Sequence, residues 1–572
     1  MSTLPKLARF QEHVEAKFKI FNSIFMTLPF GSIAKTGVLL PLFHDTCKTG
    51  FEKGEDPTTI VTTFFSKYQA RRDQKSQLNL LFRFIQYIER QVVLFDAIED
   101  AAFPIVNNMD GIGTLRSLKE SAEANGRIDE LREYLDIFKV RIVLTAHPTQ
   151  FYPGSVLGII TDLTKAIEQN DVSRIKTLLA QLGKTPFFKH QKPTPYDEAI
   201  SLIWYLENVF YDAFGKIFDY IQQNIFDDAP IDNDIINIGF WPGGDRDGNP
   251  FVTPQITLNV ANKLRETIFK NYHKDLKKLK RKLTFKGIQE HIALLENMVS
   301  QHALSVENTL TLPDFKHALE DIKQQLIQEH HSLYVSDITS LLNRVHLFGF
   351  HFAALDIRQD SRAHQTVFQT VVANELTKNS GIFPQNYEQL TASQQVNVLS
   401  NIKGRIALND FTDETVHDTL QTIETIKTIQ QRNGEQAANR YIISNNQSAL
   451  HVMQLFAMLK LVAFQDALTI DIGPLFETIT DLENAATVMD ELYANNAYRK
   501  HLTTRNNKQH IMLGFSDGTK DGGYLMANWA IFKAKERLTK IALQYGVTVI
   551  FFDGRGGPPA RGGGKHINFM PL

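Results

Sequence analysis

Two carboxylates in this chain have the type and setting to hold a divalent cation. Glu477 lies in Gly473-Pro-Leu-Phe-Glu-Thr478, and Asp517 lies in Gly514-Phe-Ser-Asp-Gly-Thr-Lys-Asp-Gly-Gly523. Each follows an apolar run, so consecutive strand ends could bring them together. Magnesium is held by one or two carboxylates, with substrate oxygens and water completing the shell. Lys520, three residues after Asp517, can reach the same anion. Taken singly, either carboxylate also fits a helix N-cap, and Asp521 is expected to cap a helix over 522–544.

Three further clusters carry cationic groups for an anion. Asp553-Gly-Arg-Gly-Gly-Pro-Pro-Ala-Arg-Gly-Gly-Gly564 feeds Arg555 and Arg561 into a glycine loop directly after a β-type run, the ingredients of a phosphate clamp. Arg358, in Ala354-Leu-Asp-Ile-Arg-Gln359, ends an almost wholly apolar run. It either grips a phosphate or carboxylate through two nitrogens or pairs with Asp356 or Asp360. Gly239-Phe-Trp-Pro-Gly-Gly-Asp-Arg-Asp-Gly-Asn-Pro250 carries Trp241, Arg246 and alternating aspartates. Its glycines let amides approach an anion that Arg246 would hold, or else internal Asp–Arg contacts simply stabilise the turn. His147, in Leu144-Thr-Ala-His-Pro-Thr-Gln150, follows another β-type run and suits a general base near neutral pH or a structural imidazole.

Several classes are disfavoured. The Asp-Arg-Asp-Gly-Asn run lacks the closing glutamate of a calcium loop, and the Arg-Gly segment has neither P-loop spacing nor an extended repeat. Lys plus Arg (61) nearly balances Asp plus Glu (63), which gives a nucleic-acid or membrane-surface partner no support. The single cysteine, Cys47, rules out an internal disulfide framework, as expected in a reducing compartment. No apolar run approaches a membrane span and no signal segment opens the chain, so a cytoplasmic protein is expected.

The elements that must position these residues follow from the apolar pattern. Residues 1–136 read as a helical region with apolar residues at three and four spacing. From 137 to 572 short β-branched or aromatic runs alternate with helical stretches. The runs are 140–145, 235–240, 349–357, 441–444, 468–476, 511–515 and 547–552, with long helical insertions over 196–225 and the Lys-rich 258–283. Such alternation implies parallel pairing. The expected fold is α/β, a mostly helical chain around an incomplete TIM-type (β/α)8 barrel with seven of eight strands, whose C-terminal strand ends share one mouth.

With these clusters in this order, the chain from about His147 to Gly564 resembles phosphoenolpyruvate carboxylases. The resemblance implies conversion of phosphoenolpyruvate and bicarbonate to oxaloacetate and phosphate with Mg2+ or Mn2+, in a homotetramer. It assigns Glu477 and Asp517 to the metal, Arg358 and Arg555 to phosphate, His147 to the essential base, Lys520 and Arg561 to anionic intermediates, and Trp241 to the bicarbonate side. Bicarbonate would attack phosphorus to give carboxyphosphate and an enolate. His147 would then deprotonate carboxyphosphate, and the enolate would capture the released carbon dioxide. Three features depart from the family pattern: Asp553 stands where histidine is usual, Gly518-Thr519 replaces Ser-Gly or Ser-Ala, and the resemblance stops after Lys565. Family members continue beyond this loop into an eighth strand, so this chain alone is expected to have little activity. Two other readings stay open: an inactive fragment that associates with full-length subunits, and another barrel enzyme acting on a phosphorylated enol.

Overall fold

Every β-type run becomes a strand, and their parallel order follows from the helices that separate them. The computed structural model describes residues 5–27, 36–109, 111–145, 152, 154–187, 193–304, 310–465 and 467–554. The strands are β1 (Val140–Leu144), β2 (Ile236–Phe240), β3 (Ala354–Asp360), β4 (Arg440–Ser444), β5 (Asp471–Phe476), β6 (Lys508–Gly514) and β7 (Thr548–Gly554). They form one curled, all-parallel sheet in the order β1-β2-β3-β4-β5-β6-β7. Among the described residues this open, seven-stranded sheet agrees with the expected incomplete barrel.

The chain divides into two compact units, one of residues 1–121 with 148–192 and the other of 122–147 with 193–572. The first is helical. Its α1 (Gln74–Asn107), α2 (Gly154–Glu168) and α3 (Val172–Lys184) bury a core that includes Tyr87, Leu94, Ile98, Ile159, Leu163 and Leu179. Each such side chain contributes about 1.5–3 kcal/mol by leaving water. Arg90 lies within this core, where carbonyls of Gln86, Leu182 and Thr185 accept its N–H groups at 2.7–3.1 Å and Phe187 covers it. Cys47 is a partly buried free thiol, and burial pushes its pKa up.

The second unit wraps the sheet with α4 (Pro254–Lys282), α5 (Ser361–Thr377), α6 (Glu414–Asn433), α7 (Ala449–Val462), α8 (Ile479–Ala494) and α9 (Ser516–Gln544). The 196–225 insertion appears as helices Pro195–Tyr205 and Tyr211–Asn224, joined by a π-helical turn. Helix α4 buries Val260, Ala261, Leu264, Ile268 and Tyr272, a helical apolar stripe. Its lysines face outward, with Lys270 and Lys274 on Glu207, Lys280 on Glu296 and Lys282 on Asp337.

Inward-facing residues stack in layers up the sheet, as in closed barrels. Trp241, Ile442, Leu475 and Met512 make one apolar layer, against which Val143 of β1 and Phe552 of β7 also pack. Below it lies a charged layer around Asp356, which is 2 % exposed and 2.6 Å from Arg141, with Arg440 at 3.9 Å.

Several boundaries differ from the sequence expectation: β5 starts at Asp471 rather than 468, and β6 at Lys508 rather than 511. Strand β3 starts at Ala354 rather than 349, because Gly349 and Phe352 have φ of 49° and 64°, incompatible with a strand. The helix expected from 522 begins at Ser516 and breaks at Gly523 (φ 78°). Asp521 therefore does not cap that helix; its carboxylate accepts the amide of Ile479 at 3.0 Å, in the first turn of α8.

Candidate active site

The glycine-rich loop after β2 is fastened to β3 by its main chain. The amide of Arg358 donates to Gly244 O (3.0 Å), and the amide of Arg246 donates to Arg358 O (2.9 Å). Only glycine permits this approach at 244, since a Cβ there would lie 2.2 Å from Asp356 O.

That fastening delivers two aspartates to Arg358. Its Nε stands 2.8 Å from Asp245 Oδ1 and its Nη2 stands 3.3 Å from Asp247 Oδ2. The guanidinium also covers the Trp241 ring, 4.9 Å from the centroid. Burial opposes the charge on Arg358, but Asp245, Asp247 and Glu477 outweigh it and hold the pKa above its ordinary value. Burial likewise raises the pKa of Asp245, with Arg358 limiting the rise. Neither Asp356 nor Asp360 is the partner: Asp356 binds Arg141, and Asp360 binds Arg362.

Trp241 is the floor of this region. Its indole N–H donates to Asp356 Oδ2 at 3.2 Å, and its ring meets Phe552 edge-on at 5.8 Å. Arg246 turns elsewhere, donating to Asp418 O (3.0 Å) and to the Thr422 hydroxyl on α6. The aspartates beside it thus serve Arg358, and the internal Asp–Arg turn contacts considered from sequence do not form.

Glu477 follows β5 and Asp517 opens α9. Glu477 Oε2 accepts the Asn445 amide at 2.7 Å. Burial pushes its pKa up to about 7; the Asn445 amide and Arg358 pull it down, while Asp247 and Asp517 push it further up. Gly514 makes room for it, because a Cβ there would lie 3.1 Å from Glu477 Cα and Cγ. Asp517 is half-exposed and 2.8 Å from Lys520 Nζ, and that contact raises the Lys520 pKa.

Asp553 alternates outward from Phe552 on β7 and pairs with Lys535 of α9 at 2.7 Å. His147, Arg555 and Arg561 lie outside the described residues. Asp247 and Asn445 were not singled out from sequence, and Asp356 was considered only as a partner of Arg358. The Asp-x-Asp alternation around Arg246 was a visible signal for Asp247; nothing local marked Asn445, or Asp356 as the partner of Arg141.

Glu477 and Asp517 suit a divalent cation. A half-buried carboxylate whose pKa is pushed up to about 7, with Asp247 and Asp517 adding to the rise, is what a cation would neutralise, and the backbone opposite is glycine. Among the described residues no group of three or more His, Cys, Asp or Glu could hold a metal, so water or substrate oxygens would supply the remaining ligands.

The family model for phosphoenolpyruvate carboxylase matches residues 106–311 and 289–569, most of the chain. The chain belongs to the phosphoenolpyruvate carboxylase family. A phosphoenolpyruvate carboxylase of Nitrosomonas eutropha is 31 % identical over 491 residues, covering 74 % of this chain and 52 % of the relative. Those of Nitrosomonas europaea (80 % and 55 % covered) and Shewanella loihica (77 % and 54 %) are each 30 % identical. The chain thus spans about half the length of the curated phosphoenolpyruvate carboxylases it matches. The second matched stretch takes in β3 to β7, and with them Arg358, Glu477, Asp517 and Lys520. Among the described residues no helix is long and apolar enough to cross a membrane.

Proposed function

We propose that this chain supplies the metal and phosphate half of a phosphoenolpyruvate carboxylase site, which forms oxaloacetate and phosphate from phosphoenolpyruvate and bicarbonate. The carrying observation is geometric: Gly514 and Gly518, on either side of Asp517, pack against Glu477 at the end of β5, while Arg358 on β3 holds Asp245 and Asp247. One cationic and several anionic groups at neighbouring strand ends suit a phosphorylated enol bound beside a cation.

In this reading Glu477 and Asp517 hold Mg2+ or Mn2+, which supplies Lewis acidity where negative charge develops. Arg358, already paired through two nitrogens, exchanges a carboxylate partner for a phosphate oxygen, with Arg555 and Arg561 completing the grip. Lys520 steadies the anionic intermediates. Trp241 excludes water on the bicarbonate side, and Arg246 anchors the glycine loop through α6. His147 removes the proton of carboxyphosphate, and carbon dioxide is released next to the enolate. The complete enzyme would be a cytoplasmic homotetramer that replenishes the tricarboxylic acid cycle.

The test is a chimera that continues this chain with the remaining length of the Nitrosomonas eutropha relative. Bicarbonate-dependent oxaloacetate and phosphate should form together, and His147→Asn should release phosphate without oxaloacetate. Phosphate transfer that requires a nucleotide and proceeds without bicarbonate would refute the reading. So would carboxylation at the normal rate by His147→Asn.

A further inference from the structure

Strand β3 sets every second side chain on one face of the sheet, so Asp356, Arg358 and Asp360 follow one another up the barrel. Asp356 lies beneath Trp241 and Arg358 covers the Trp241 ring. Asp360 stands one step nearer the mouth, about 6.6 Å further along the strand. Its register partner on β4 is Ser444. Asn445, the next residue, turns with φ 51° and donates its amide to Glu477 Oε2 at 2.7 Å, while its carbonyl accepts the Ser361 hydroxyl at 2.7 Å. The first turn of α5 is thus tied through one residue to the carboxylate that would hold a cation.

Arg362 belongs to that turn. Its Nη2 stands 2.6 Å from Asp360 Oδ2 and its Nε 2.9 Å from Asp360 Oδ1, and its side chain is 77 % exposed. Arg358, four residues earlier, is 18 % exposed. The Asp360 contact raises the Arg362 pKa, and Asp247 and Glu477 add to the rise. Asp360 caps α5 without the guanidinium, because its Oδ1 already accepts the Arg362 amide at 2.7 Å. An exposed pair of this kind adds little to stability. What it does provide is a second guanidinium, open to solvent, one layer above the first.

We propose that Arg362 is a specificity residue of this site, pairing with the carboxylate of phosphoenolpyruvate while Arg358 holds the phosphate. A phosphoenol acid carries an anionic group at each end, and a guanidinium matches a carboxylate through two parallel N–H bonds. On binding, Arg362 exchanges the Asp360 carboxylate for that of the substrate, and Asp360 remains as the helix cap. Arg362 has this role only if the site takes a phosphoenol acid, as proposed above.

Isothermal titration of the Mn2+-loaded 572-residue chain compares phosphoenolpyruvate with inorganic phosphate, which lacks the carboxylate. Arg362→Gln should weaken phosphoenolpyruvate at least five times more than it weakens phosphate. Arg362→Lys, which restores the charge without the fork, should recover part of that loss, and Arg358→Ala should weaken both ligands. The urea midpoint of Arg362→Gln should stay at the wild-type value, so that the change in affinity reports a contact with ligand and not a disturbed fold. A difference between the two ligands smaller than fivefold in Arg362→Gln, including no weakening of either or equal weakening of both, overturns the proposal and leaves the site reading standing. A wild-type chain that binds neither ligand overturns the site reading, and the role of Arg362 falls with it.

Discussion

The guanidinium of Arg358 stands 4.9 Å from the centroid of the Trp241 ring while its Nε holds Asp245 at 2.8 Å. One cation thereby ties β3 to the floor and wall of the candidate site. Removing it strands two partly buried aspartates, Asp245 and Asp247. Arg358→Ala should destabilise the second unit by about 2 kcal/mol, short of the loss for a fully buried pair because these side chains are partly exposed. Adding Asp245→Asn should restore a substantial part of that loss. Urea midpoints of the two single variants and the double variant check this; additive losses would contradict the pairing.

The interior of the barrel makes a parallel demand. Asp356 accepts from Arg141 and from the Trp241 indole. Asp356→Asn would leave Arg141 and Arg440 without their carboxylate. A loss of about 3 kcal/mol is expected, together with altered Trp241 emission, because the indole N–H partner changes. Fluorescence-detected unfolding reads both.

Much of this was legible in the sequence, for a physical reason. β-branched runs ending in glycine or charge fix strand position locally, so all seven strands were anticipated with small boundary errors. β3 moved because backbone conformation at Gly349 and Phe352, rather than residue type, decides where the strand begins. The carboxylates and Arg358 were visible because each ends an apolar run. Their partners were not, because Arg358 meets Asp245 across 113 residues and Glu477 meets Asn445 across 32, and only the parallel register brings such pairs together. Arg246 stood out by type and neighbourhood, yet its contacts are with a helix nearly two hundred residues on.

Gly244 is the tightest test of the loop geometry. A Cβ there would meet a backbone carbonyl oxygen at 2.2 Å, which no rotamer can relieve. Gly244→Ala should destabilise by about 2–3 kcal/mol and loosen Arg358, whereas Gly248→Ala, where space is open but φ is +67°, should cost only about 1 kcal/mol. Equal effects at the two positions would contradict the fastening of the loop to β3.

The raised pKa of Glu477 has a signed consequence for stability. Its folded value of about 7 lies above the ordinary 4.5, so its contribution is fully present below pH 4.5 and is lost as pH rises through 7. Glu477→Gln mimics the protonated form and can still accept the Asn445 amide. Without divalent cation it should therefore be more stable than wild type at pH 8, by on the order of 1–3 kcal/mol after allowance for partial exposure. The two should be nearly equal at pH 4.5. Thermal unfolding at both pH values in chelator checks the sign.

Binding of Mn2+ to the 572-residue chain at pH 8, measured by isothermal titration, bears most directly on the claim that Glu477 and Asp517 form a cation site beside Arg358. The wild-type chain should bind one Mn2+, and Glu477→Gln with Asp517→Asn should weaken it at least tenfold. Phosphoenolpyruvate should then bind only to the Mn2+-loaded wild type, and more weakly after Arg358→Ala. Equal Mn2+ affinity in the wild type and the double variant would contradict the claim.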